Sequence, residues 1–125
     1  MRYIMCVMMM FLSLGYANAH EWTPTYPKFR ASYMSGVMMT TMQLYNSRRD
    51  VEHYAFSVYD KDFNPIQFAT AEQITSVNYL QRKTIEIYVR NKDISKGMYI
   101  CSESKLIRND VTATIVRSRI CSKVK

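Results

Sequence analysis

Tyr54-Ala55-Phe56-Ser57-Val58-Tyr59 is the stretch that decides the fold class. Tyr54, Phe56 and Val58 alternate with Ala55, Ser57 and Tyr59, a period of two that sends the two sets to opposite faces of a strand. The run closes on Asp60-Lys61-Asp62-Phe63-Asn64-Pro65, a polar break. Asp60 and Asp62 there lack the further acids and the glycine of a calcium loop, so they read as turn residues. The same period continues on both sides. Upstream, Thr40, Met42 and Leu44 alternate with Thr41 and Gln43 and stop at Asn46-Ser47-Arg48-Arg49-Asp50. Before that, Phe29, Ala31 and Tyr33 alternate with Arg30 and Ser32. Downstream, Ile85, Ile87 and Val89 alternate with Glu86, Tyr88 and Arg90. A polar stretch from Asn91 to Gly97 precedes Met98 to Cys101, and Val111 to Val124 is rich in Val, Ile and Thr. Ala71-Glu72-Gln73-Ile74 offers a short turn at most, and no helix is expected. Short β-branched or aromatic runs bounded by turn residues, about seven over about 100 residues, predict an all-β sandwich of antiparallel strands.

The ends of the chain set its compartment. Arg2, an apolar run from Tyr3 to Leu14 and Ala17-Asn18-Ala19 read as an export signal over residues 1–19, cleaved after Ala19. The apolar run is too short to span a bilayer, and no later stretch is apolar enough. Residues 20–125 then form a single domain, bound for the periplasm or the cell surface. Cys6 leaves with the signal, and Cys101 and Cys121 are expected to pair as a disulfide in that oxidising setting. The loop so closed is worth roughly 3 kcal/mol by chain entropy. Metal binding by the two thiols has little support, because there is no Cys-x-x-Cys and no histidine after His53. If the cysteines face each other, Glu103 faces Arg119, Leu106 faces Val116, and Lys105 meets Arg117 unless a bulge or splayed loop near Arg108 to Val111 intervenes.

Without Arg2 the chain has sixteen basic against ten acidic residues, a net charge of +6. Lys105, Arg108, Arg117, Arg119, Lys123 and Lys125 crowd the C-terminal end. In an exported protein such a surface points to solvation or carboxylate capture, and away from nucleic acid.

Two patterns carry a resemblance. Asp93-Ile94-Ser95-Lys96-Gly97-Met98-Tyr99-Ile100-Cys101 resembles the entry to the sixth strand of immunoglobulin domains, with a tyrosine two residues before the cysteine. A second-strand cysteine is missing and Trp22 lies at the mature N-terminus, so an antibody-type domain is excluded. The wider pattern is similar to the N-terminal domain of PapD-like periplasmic pilus-assembly chaperones. Phe29 to Tyr33 resembles their first strand, Met42-Gln43-Leu44-Tyr45-Asn46-Ser47 their second, and Tyr54 to Asp60 their third. Met98 to Ile107 and Val111 to Lys125 resemble their long sixth and seventh strands, which some members join by a disulfide. The resemblance implies an immunoglobulin-like sandwich that binds a pilus or surface subunit by adding an edge strand to it. It implies that Arg30 anchors the subunit's terminal carboxylate. The family's second anchoring lysine falls on Cys121, with Lys123 two residues on and on the same face. Partner contacts along the edge strand would come from Val111, Ala113, Ile115 and Val116.

Other chemistries carry less. Cleavage would make His20 the first residue, and an N-terminal histidine with His53 would supply copper ligands; the plain alternative is a frayed terminus. With two histidines and no nucleophile motif, an enzyme is not expected, nor is a cofactor. Outward tyrosines such as Tyr59 and Tyr88 suit either a binding face or half-buried strand surface. The sequence therefore points to an exported chaperone-like binding module with a protein partner. The alternatives are a self-associating structural surface subunit and a copper carrier.

Overall fold

The alternating runs form strands in the computed structural model, which describes residues 20–105 and 117–125. The proposed leader and the edge-strand positions Val111, Ala113, Ile115 and Val116 lie outside the described residues. In chain order the strands are β1 (Glu21–Thr23), β2 (Arg30–Ala31), β3 (Val37–Tyr45), β4 (His53–Tyr59), β5 (Phe68–Ala69), β6 (Ile74–Ser76), β7 (Arg82–Arg90), β8 (Tyr99–Lys105) and β9 (Arg119–Lys123). One sheet runs β1-β3-β7-β5, with β2 beside β3 beyond the end of β1, and the other runs β6-β4-β8-β9. Every pairing is antiparallel. β1 and β2 share one edge, and β5 and β6 are the two ends of one segment that crosses between sheets. The nine pieces therefore occupy seven lengths of chain, as the strand count from sequence required. A single 3-10 turn, Asn91–Asp93, follows β7 among the described residues.

Period two sorts the core. Met42 and Leu44 of β3, Tyr54, Phe56 and Val58 of β4, Ile85, Ile87 and Val89 of β7, and Met98 and Ile100 are all buried between the sheets. Burying such a side chain contributes roughly 1.5–3 kcal/mol each. Cys101 and Cys121 stand directly opposite and are bonded, and Glu103 faces Arg119 as expected. The Ser104 amide donates to the Ser118 carbonyl at 2.9 Å, and the Lys105 ammonium turns back to within 3.8 Å of the Glu103 carboxylate. Leu106 and Val116 lie outside the described residues.

The N-terminal segment departs from its sequence reading. The strand expected over Phe29 to Tyr33 shrinks to Arg30–Ala31, and Tyr33 is 84% exposed. A tight turn cuts it short: the Ser32 hydroxyl accepts from the Met34 amide at 3.1 Å, and Gly36 takes a φ of 77°. The core strand at this edge is instead β1. Trp22, 4% exposed, stacks on Phe56 with ring centres 5.3 Å apart, and its indole N–H donates to the Ile100 carbonyl at 3.0 Å. The chain then leaves β3 and reaches the other sheet, where the Thr25 carbonyl accepts from the Lys123 amide at 3.1 Å. This segment closes one side of the sandwich. Similarly, Ile74, read as part of a turn, opens β6.

Candidate functional site

The geometry of β9 follows from its ladder. The Ser104 amide reaches the Ser118 carbonyl and the Val124 amide reaches the Met98 carbonyl, each at 2.9 Å. Even-numbered residues of β9 therefore face β8, and Arg119, Cys121 and Lys123 direct their N–H and C=O groups away from it. Lys123 is covered by Thr25. Among the described residues, no backbone group pairs with the outward groups of Arg119 and Cys121. β1 lies close beside β9, so the first segment borders this edge and, among the described residues, hydrogen-bonds to its backbone at Lys123. Side chains divide by the same alternation: Ile120, Ser122 and Val124 point inward, while Arg119, Cys121 and Lys123 point outward.

The two expected anchors sit on different sheets. Arg30 is exposed opposite Met39, and its guanidinium donates to the Thr41 hydroxyl at 3.1 Å. Lys123 is exposed opposite Tyr99 on the outer face of the second sheet. A cation that sequence reasoning missed lies closer to it. A Cβ placed on Gly97 would come within 3.4 Å of the Lys61 Cβ and 3.9 Å of the Lys123 Cε. The Lys61 stem and the Lys123 tip therefore converge over Gly97. The turn that carries Lys61 is built by Asp60, whose Oδ1 accepts from the Asp62 amide at 2.8 Å and the Asn64 amide at 2.9 Å. Those bonds, the Asn64 amide first, hold the Asp60 carboxyl below the usual carboxylate range. The expected turn chemistry is what these two aspartates contribute. The same turn sets Phe63 at a φ of 61°, a left-handed conformation that side chains with a bulky Cβ substituent resist. Phe63 remains 49% exposed and stacks on Tyr99 with ring centres 4.6 Å apart and planes 17° apart. Tyr59 adds a third ring 5.8 Å from Phe63, and the Arg119 guanidinium lies 5.9 Å from the Tyr59 ring.

At the opposite end of β9 lies a buried polar cluster. His20 is 2% exposed and packs against the Tyr54 ring at 4.7 Å. Its Nε2 is 2.7 Å from the Ser102 hydroxyl and its Nδ1 3.0 Å from the Ser118 hydroxyl. Burial, aided by the Arg48 charge, lowers its pKa to about 4, so the ring is neutral and one nitrogen donates while the other accepts. Arg48 also donates to Ser118 at 3.4 Å and grips Asp50 through two bonds, at 3.0 and 2.6 Å, which hold the Asp50 carboxyl below its ordinary range. Asn46 joins four groups. Its amide donates to the Val51 and Val77 carbonyls at 2.7 and 2.8 Å, and its oxygen accepts from the Tyr54 hydroxyl at 2.6 Å and the Arg48 amide at 2.9 Å. Burial pushes the Tyr54 hydroxyl up to about 12.

This arrangement does not suit the copper brace. Both His20 nitrogens are engaged by serine hydroxyls. His53 lies on the face of β4 opposite Tyr54, whose ring His20 touches. Among the described residues, no three His, Cys, Asp or Glu side chains gather as a metal would require. A signal for the cluster was present in the sequence: Ile100, Ser102 and Ser104 share one face of β8, which puts serines at core positions. Nothing comparable marked Thr25 or Lys61.

No family model matches the chain, and no curated protein matches it in sequence. The crystal structure of the E. coli chaperone DraB is similar in fold, with a TM-score of 0.60 at 12% identity. The match covers 85% of this chain and 53% of DraB, so the chain spans about half the length of that chaperone. The likeness is one of fold. It agrees with the two antiparallel sheets, and no helix among the described residues is long and apolar enough to cross a membrane.

Proposed function

We propose that this chain is an exported, chaperone-like binding module that pairs β9 with an extended strand of a pilus or surface protein and holds that partner's terminal carboxylate. The role is one of binding and not of catalysis. The observation that carries the reading is that β9 ends its sheet and that, among the described residues, the outward backbone groups of Arg119 and Cys121 have no backbone partner, while Thr25 takes the amide of Lys123. A strand added there must run out beside Lys123, which is where a chain end with its carboxylate would be held. The likeness in fold to the E. coli chaperone DraB supports the same reading. Arg30 and Lys123 are the anchors it assigns. Purification from the periplasm followed by native mass spectrometry should recover a protein partner. Arg30→Ala and Lys123→Ala should each weaken that complex by about tenfold, as loss of a charge-assisted hydrogen bond does. Unchanged affinity in both variants would remove the anchoring role.

A second reading, a self-assembling surface subunit, is favoured by β7. The Asn91 amide reaches the Gly36 carbonyl and the Asn46 amide the Gln81 carbonyl, which fixes the parity of that ladder. Thr84 and Glu86 then point their backbone groups away from β3, while β5 pairs only with Tyr88 and Val89. Among the described residues, those groups of Thr84 and Glu86 have no backbone partner, which leaves an edge for pairing. Mass rising with concentration in analytical ultracentrifugation would support the subunit; a constant monomer would count against it.

A further inference from the structure

We infer that two copies of this chain pair their β7 strands antiparallel about a two-fold axis at Thr84, which joins their first sheets into one. The inference rests on the self-association reading of β7 and deepens it. It ends the assembly at two copies, because a two-fold contact closes on itself.

The strand has the form such pairing needs. β7 pairs with β3 in unbroken register from Arg82 to Arg90, with no proline or bulge among its nine residues. Those are the devices that normally blunt an edge. Its even-numbered residues direct their N–H and C=O groups away from β3, and β5 takes up only the end at Tyr88 and Val89. Among the described residues, the outward groups of Arg82, Thr84 and Glu86 have no backbone partner. The chain that leaves β5 crosses to the other sheet, and a groove of about 340 Å³ remains between Thr70 to Glu72 and the strip from Thr84 to Glu86. Lys83 faces the core side, where a loose charge would repel an added strand. Its ammonium is instead held, donating to the Thr75 hydroxyl at 2.5 Å and lying 3.6 Å from the Glu72 carboxylate.

The side chains then select the register. An axis at Glu86 sets Glu86 against its own copy and Thr84 against Tyr88, which β5 already holds. An axis at Ile85 sets Arg82 against Tyr88, with the same obstruction. An axis at Lys83 sets lysine against lysine. An axis at Thr84 uses free positions alone. Thr84 then faces Thr84 of the second copy, and Arg82 faces Glu86 of the second copy on both sides of the axis. Opposite charges at directly facing positions stabilise a pair, and like charges oppose it. Arg82 and Glu86 are both exposed, and neither belongs to an ion pair among the described residues. Arg82 reaches the Gln43 side-chain oxygen at 3.3 Å and the Tyr45 ring, and Glu86 accepts from the Tyr88 hydroxyl at 2.8 Å. Each charge is therefore left for a partner that the single chain does not supply.

The test is sedimentation equilibrium of the protein purified from the periplasm, beside charge-reversed variants. The unmodified protein should be a dimer. Arg82→Glu and Glu86→Arg each set like charges at both facing pairs, and each should weaken the dimer at least about tenfold. The double variant Arg82→Glu/Glu86→Arg should restore it. The two single variants, mixed, should form a heterodimer in native mass spectrometry, because every facing pair is then opposite in charge. Thr84→Pro removes an amide that points away from β3, so it should abolish the dimer and leave the circular dichroism unchanged. A monomer at millimolar concentration would overturn both the pairing and the self-association reading. A dimer that survives Thr84→Pro would overturn the pairing alone. Failure of the double variant to recover would overturn the register at Thr84, and larger species that Thr84→Pro disperses would overturn the closure at two copies.

Discussion

Lowering the pH should unlock the sandwich at His20. The ring is neutral in the fold with a pKa of about 4, against an ordinary value of 6.5. That difference corresponds to roughly 3 kcal/mol between the two protonation states. Because the folded value is depressed, the unfolded chain takes up the proton first as pH falls. The contribution of His20 is therefore complete above pH 6.5 and declines between 6.5 and about 4, with a slope approaching about 1.4 kcal/mol per pH unit. Below that window the loss is complete and the curve flattens. Against a typical domain stability of about 5–15 kcal/mol, this is a large share. The origin is local: the imidazolium would sit beside Arg48, out of water, between Ser102, Ser118 and Tyr54.

The assay is urea unfolding at half-unit steps from pH 7 to pH 4, run on the unmodified protein and on His20→Gln. Glutamine does not titrate and keeps a donor and an acceptor for the serines. The free-energy difference between the two proteins should shrink steadily across the window, by up to about 3 kcal/mol. Asp50, held down by its bonds to Arg48, adds acid sensitivity of its own, which sets in at the ordinary carboxylate range and continues below it, equally in both proteins. Parallel curves from pH 7 to pH 4 would refute the assignment of a buried neutral His20.

Other expectations follow from the same packing. Replacing Cys101 and Cys121 together by Ser opens a loop of sequence separation 20 and should cost roughly 3 kcal/mol, read as a lower urea midpoint that a reductant no longer shifts. Asn46→Ala leaves the Tyr54 hydroxyl and the Val51 and Val77 carbonyls without their partner, and a loss above about 2 kcal/mol is expected by the same assay. Trp22→Ala removes a buried ring and its bond to Ile100 and should cost about 3–5 kcal/mol; a loss below about 1 kcal/mol would return Trp22 to a loose terminus.

The long strands were legible because their alternation is self-contained. Each of β3, β4 and β7 has at least seven residues, enough for period two to separate an apolar face from a polar one. The pairing of β8 with β9 was legible for a different reason: one disulfide fixes a register, and Glu103 facing Arg119 then follows by counting. β1 offered neither aid. It has three residues, one of them apolar, and Pro24 follows at once, so no period exists to read. Its place depends on long-range packing of Trp22 against Phe56 and Ile100. The placement of Lys61 was illegible for a similar reason. Asp60 to Asn64 reads as a turn from composition, but which residue adopts positive φ is decided by where Asp60 directs its carboxylate.

That unreadable first segment does most to shape the candidate site. His20 ties to Ser118 at one end of β9, and Thr25 ties to Lys123 at the other. The chain between them therefore runs along the strand in its own direction, with Trp22 driven into the core. Had the terminus been frayed, all three outward positions of β9 would be open and an added strand could slide along them, since an unblocked edge specifies register weakly. With Thr25 in place the ladder is closed at Lys123, and among the described residues only the outward backbone groups of Arg119 and Cys121 lack a backbone partner. The closed end of the β9 ladder is thus a consequence of how a three-residue strand is held at both ends.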